Sequence, residues 1–168
     1  IADFEKNEVQ HLVESGKVIA IGELMTQYEG ISPDSEEIEK IWDLAVAEDV
    51  PVGIHMSAPG AQLPNYVARY GNPLLLEPVL QKYPELRIYL MHAGWPFLEE
   101  TVSVLRQYPN VYVDISFIDW QMPINLFHNY LRQLVDYGFG KRIMFGSDQS
   151  WPDAIQIAVE NVEAADFL

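Results

Sequence analysis

Four apolar runs in this chain each stop on a residue able to do chemistry, and helix-like stretches separate them. Residues 18–22 run into Glu23, 51–54 into His55, 87–91 into His92 and 142–147 into Asp148. Alternation of this kind specifies an α/β domain with a mostly parallel sheet. Parallel α/β proteins build their sites at the carboxyl ends of the strands. One polar strand end means little, because some polar residue must follow every buried run. Four ends carrying Glu, His, His and Asp predict a shared pocket.

The intervening stretches read as helices. One is expected over residues 5–15, with Val9, Leu12 and Val13 inward and Gly16 as its stop. The next starts with Ser32 as N-cap, Pro33 in the first turn, and Asp34, Glu36 and Glu37 against the positive helix end. Ile38, Ile41, Trp42, Ala45 and Val46 then form a single apolar stripe. Residues 57–72 contain Pro59, Gly60, Pro64 and Gly71 and read as a long loop with one helical turn near Tyr66. A loop of that length beyond a strand suits a lid or specificity element. A helix reaches Tyr83, with Pro78 near its start, and another opens at Pro96 with Leu98, Val102 and Leu105 inward. A fifth strand is expected over 111–115 and a helix over 125–137; a last helix runs from Pro152 to near Leu168.

The result is about five βα units in one domain spanning residues 1–168. Two architectures fit the pattern. One is an open doubly wound parallel sheet with a ligand crevice at its switch point. The other is a partial (β/α)8 TIM barrel, whose full form usually needs ~250 residues.

Composition removes several functions. The net charge is −15 and no basic stripe exists, so a nucleic-acid partner is not expected. No apolar stretch reaches the ~18–20 residues of a membrane span. The chain has no cysteine, which excludes thiolate metal sites, disulfides and a Cys nucleophile. It opens on Ile1 with no charged-then-apolar leader ahead of it, as expected of a processed product or a piece of something longer. Composition does not fix the compartment; the cytoplasm is the expectation.

His55, His92 and Asp148 suit a divalent metal, because imidazole and carboxylate are good ligands for Zn²⁺ and related ions. A catalytic metal lowers the pKa of bound water towards ~7. A nearby carboxylate or histidine can then move the proton. Such a set can activate water for attack on an acyl carbon, or hold an acidic substrate while a bond to a carboxylate breaks.

The motifs Gly22-Glu23, Ile54-His55-Met56, Leu90-Met91-His92-Ala93-Gly94-Trp95-Pro96 and Met144-Phe145-Gly146-Ser147-Asp148 resemble the strand ends of the amidohydrolase-related family. These are metal-dependent (β/α)8 barrels that include hydrolases and decarboxylases, and the resemblance covers nearly the whole chain in order. It implies that His55 is a metal ligand and that His92 is a ligand or proton shuttle. It makes Asp148 a ligand and general base, and places Glu23 near the metal or as a brace. The favoured ion is Zn²⁺ and the partner a small-molecule substrate. Family members also carry a His-x-His pair on their first strand. The four histidines here, His11, His55, His92 and His128, contain no such pair, so the chain corresponds to barrel strands four to eight. A chain of that kind would expose strand edges able to pair with another copy. It could also be a non-catalytic scaffold that keeps the fold without the chemistry.

Other residues are weaker candidates. Trp95, Trp151 and Trp120 follow strands, where aromatic pocket walls are common. Arg69 could meet a substrate carboxylate from the long loop. Asp114 reads as a cap for the turn after its strand. His11 and His128 fall in outer helices.

Overall fold

Five short strands pair side by side in chain order, every pair parallel. The computed structural model describes residues 6–57 and 63–168. The strands are β1 (Ile21–Leu24), β2 (Val52–His55), β3 (Ile88–Met91), β4 (Val111–Asp114) and β5 (Ile143–Met144). The α-helices are α1 (Lys6–Glu14), α2 (Glu39–Ala47), α3 (Glu77–Lys82), α4 (Leu98–Gln107), α5 (Ile118–Gln121), α6 (Ile124–Asp136) and α7 (Pro152–Glu163), with short 3-10 turns between elements. A sequential order with no reversal has no switch point, which removes the doubly wound alternative. It is the strand order of a (β/α) barrel, here as a partial one.

Register sorts the side chains by face. Val52, Ile88 and Val111 lie abreast, as do Ile54, Leu90 and Val113, and all are buried. Trp42 and Ile41 of α2, Leu80 of α3, Leu105 of α4 and Leu131 and Leu134 of α6 join them in one core. The alternate positions Gly53, Tyr89 and Tyr112 lie abreast on the other face, where Tyr112 is 37% exposed. One face of the sheet is therefore covered by helices and the other is open, with a cavity of about 440 Å³ lined by Tyr89, Tyr112, Asp114, Met144 and Phe145.

Several boundaries differ from the sequence reading. Residues 18–20 precede β1 rather than form it, and Ile19 is exposed. Pairing begins only where the Ile21 amide donates to the Pro51 carbonyl at 2.9 Å. The cap before α2 is Ser35, whose hydroxyl accepts from the Glu37 amide at 3.3 Å above a 3-10 turn; Ser32 bonds the Asp34 carboxylate instead. In the long loop, residues 58–62 lie outside the described residues, and the helical turn falls at Ala68–Gly71, just past Tyr66. A short helix, α5, follows β4 where none was expected. β5 is two residues long, and α7 ends at Glu163, so that Phe167 turns back under the Arg132 guanidinium at 4.1 Å.

One-sided cover has a measurable signature. Leu90→Ala should cost about 2–5 kcal/mol in urea unfolding, whereas Tyr112→Ala on the open face should cost less than about 1 kcal/mol. Equal costs would contradict the assignment of faces.

Candidate metal centre

Parallel register brings the strand ends to one rim. Glu23 of β1, His55 at the end of β2 and His92 just after β3 each offer a ligand atom, and the three atoms lie within 4.8 Å of one another. His92 Nε2 is 3.4 Å from Glu23 Oε1. The two imidazoles meet edge to face with centroids 4.6 Å apart, and both are buried. Among the described residues no other group of three His, Asp or Glu side chains comes this close.

A tight left-handed turn aims His92. His92, Ala93 and Gly94 have φ of 60°, 52° and 71° in succession, a conformation that L side chains resist and that clusters at functional sites. Gly94 is required twice over, since a Cβ there would also sit 2.2 Å from Thr101 Oγ1. The ring is fixed from β4. His92 Nδ1 is 2.9 Å from the Ser116 carbonyl, which only accepts, so Nδ1 carries a proton and Nε2 faces Glu23. Asp114 holds that loop by accepting from the Ser116 amide at 2.9 Å and the Ser116 hydroxyl at 2.5 Å. Its role is the capping one expected from its position.

The charges divide within the group. Burial pushes the Glu23 carboxyl up, but the His92 hydrogen bond and the two imidazoles outweigh it and hold it below its ordinary range. Burial opposes charge on His92 as well, yet Glu23 and the Ser116 carbonyl raise its pKa. His55 goes the other way. Burial and then the neighbouring His92 push it down to about 4, so it is a neutral base at neutral pH. Its Nδ1 is buried with no hydrogen-bond partner. A carboxylate oxygen, two imidazoles and an orphaned ring nitrogen fit a divalent cation.

These residues line a cavity of about 230 Å³ together with Met25, Tyr28, Ser57, Phe117 and Asp148. Asp148 thus faces the same space, from a left-handed position with φ of 52°, but stands outside the three-residue group. Partial burial pushes its carboxyl up while His92 pulls it down. Trp95, Trp151 and Arg69 do not line this cavity. Trp95 packs against the core, Trp151 is 71% exposed, and Arg69 is exposed with its guanidinium over Tyr70. Trp120 donates to the Ser147 carbonyl at 2.8 Å and so steadies the segment leading to Asp148. His11 is exposed on α1, and His128 donates to the Asn161 carbonyl at 2.7 Å, away from the site. Tyr28, Ser57 and Phe117 were not anticipated. The one signal for Tyr28 is its place in the turn Thr26–Glu29, directly beyond β1.

The fold and rim now have a family. The amidohydrolase family model matches residues 6–167, and the chain belongs to that family. Among solved structures it is similar to a probable 2-pyrone-4,6-dicarboxylic acid hydrolase from Acinetobacter baumannii with citric acid bound. That match has a TM-score of 0.67 and 17% identity, over 95% of this chain and 62% of the other. It is also similar to 5-carboxyvanillate decarboxylase from Sphingomonas paucimobilis, with a TM-score of 0.65 and 15% identity over 97% and 57%. A 5-carboxyvanillate decarboxylase from Novosphingobium aromaticivorans with bound manganese gives 0.61 and 16% over 97% and 56%. Protein fluG of Emericella nidulans is 26% identical over 77 residues, 46% of this chain and 9% of that protein. The chain thus spans less than two thirds of each of these relatives. No helix among the described residues is long and apolar enough to cross a membrane.

Asp119 of α5 is fully buried, and its carboxylate has no side-chain partner, only the nearby amides of Asp119 and Trp120 outside good hydrogen-bond geometry. Burial, with Asp114 adding to it, pushes its carboxyl up to about 7. A folded-state pKa above the unfolded one means that the native state holds the extra proton, so stability falls as pH rises from about 4 to 7. Asp119→Asn should remove that loss. At pH 8 it should be more stable than the wild type by about 4 kcal/mol, the free-energy equivalent of a rise from 3.8 to about 7, with the gap closing by pH 4 in thermal melts at each pH.

Proposed function

We propose that this chain carries much of the active site of a metal-dependent hydrolase that activates water against a carbonyl, ester or amide of a small-molecule substrate. One observation supports this above the rest: Glu23, His55 and His92 are gathered within 4.8 Å, with His55 Nδ1 buried and unpartnered. Glu23, His55 and His92 would hold the cation. A bound divalent ion would supply Lewis-acid polarisation and an acidified water. Asp148 lines the same cavity, and in this reading it accepts a proton from the nucleophile and returns it to the leaving group. His92, tied to Glu23 and Ser116, has its ring orientation set for either ligation or proton transfer. Phe117 meets His92 edge-on at 5.6 Å and keeps water from that side of the ring.

Zn²⁺ is the proposed ion. The mixed nitrogen and oxygen donors also suit manganese, which the Novosphingobium decarboxylase holds. Decarboxylation is the second reading, supported by Asp148 lining the same cavity as the candidate ligands, where it could pass a proton to the carbon that loses CO₂. It has structural relatives of that name, as hydrolysis does.

Metal content tests the ligand set. After loading with Zn²⁺ or Mn²⁺ and gel filtration, the wild type should retain metal. His55→Ala and Glu23→Gln should weaken retention by more than the ~10–100-fold typical of losing an outer-shell partner. Asp148→Ala should keep most of the metal and lose turnover. Equal metal in all four proteins would remove the ligand assignment and leave a scaffold.

A further inference from the structure

The two ring nitrogens of His55 have different surroundings. Nε2 lies 3.3 Å from Tyr28 Oη, and Nδ1 is buried with no partner among the described residues. A neutral imidazole has one N–H and one lone pair, and the group beside one nitrogen decides which it carries. A proton on Nδ1 would have only the carbonyl of His55 itself nearby, outside hydrogen-bond geometry, and would be a poorly satisfied buried donor. A proton on Nε2 has the phenol oxygen as acceptor.

Tyr28 is held firmly enough to impose that choice. Its ring meets His55 edge-on at 5.0 Å and Tyr66 edge-on at 5.2 Å. The Tyr66 hydroxyl is itself committed, donating to the Ser57 carbonyl at 2.8 Å and accepting from Gln27 Nε2 at 2.7 Å. Gln27 also donates to the Ser57 carbonyl. Gly71 seals this clamp, since a Cβ there would lie 2.7 Å from the Ser57 oxygen. The turn after β1 is thereby locked to the segment after β2, with Tyr28 between the lock and the metal centre.

We propose that Tyr28 is a positioning residue: its hydroxyl oxygen accepts the Nε2–H of His55 and leaves the Nδ1 lone pair as the ligand. Metal-binding histidines commonly have the second nitrogen fixed in this way. The phenol proton then stays free to point into the cavity that Tyr28 lines. The ligand half of this inference rests on the metal reading above; the tautomer half does not.

The experiment separates the two. In metal-free protein with ¹⁵N-labelled histidine, long-range ¹H–¹⁵N correlations should show His55 as the Nε2–H tautomer. Tyr28→Phe keeps the ring and its edge contacts, and should shift His55 towards the Nδ1–H form. By chelator-competition titration it should bind Zn²⁺ about 10–100-fold more weakly than wild type, with a melting temperature within a few degrees. An Nδ1–H tautomer in the wild type overturns the proposal, and that spectrum needs no variant to fold. So does a Tyr28→Phe protein with unchanged tautomer and affinity. If wild type and His55→Ala bind Zn²⁺ equally, the metal reading fails, while the tautomer shift still decides the role of Tyr28.

Discussion

The hydrogen bond from His92 Nδ1 to the Ser116 carbonyl sets the shape of the rim. It is buried, of ordinary length at 2.9 Å, and made between strand ends that neighbour each other in the sheet. Without it the imidazole could turn about its χ angles and Nε2 would leave Glu23. Asp114 reinforces the contact from the other side by fixing the Ser116 amide and hydroxyl. A buried polar chain of this kind is stable only while each member stays satisfied. The left-handed turn at His92, Ala93 and Gly94 is the backbone cost of the arrangement.

Opposite pressures on neighbouring groups give the site its chemistry. Burial acts on Glu23, His55 and His92 alike, disfavouring charge on each. Direct pairing rescues the charge on Glu23 and His92, whereas His55 has a second imidazole for a neighbour and stays neutral. One carboxylate and one lone-pair nitrogen are therefore present at neutral pH without any external partner. That division follows from which strand end stands next to which, and parallel register decides it.

Much of this was legible in the sequence. Glu23, His55 and His92 were marked by their places after apolar runs, and a parallel fold must bring such ends together. The alternation gave the α/β class and left two architectures open, and the likeness of the strand-end motifs to the amidohydrolase-related family pointed to the barrel. Limits arose where the deciding partner is remote. An apolar run signals burial but not where pairing starts, so β1 was placed three residues early. Ser32 and Ser35 are equally good caps by type, and only the chain path chose Ser35. The Tyr28, Tyr66 and Gln27 clamp joins residues up to 39 apart with no local pattern. Trp151 and Arg69 follow strands in sequence, but the loop paths carry both side chains into solvent.

The brevity of β5 bears on how copies of the molecule meet. Its ladder with β4 consists of Val113 beside Ile143 and Asp114 beside Met144. A two-residue border presents few vacant amides for an incoming foreign strand, although Phe145 just beyond it is 53% exposed. The surplus of fifteen negative charges adds mutual repulsion at low ionic strength. Fibrillar templating is blunted at that border by geometry first and by Coulomb forces second, and only the second weakens as salt is added.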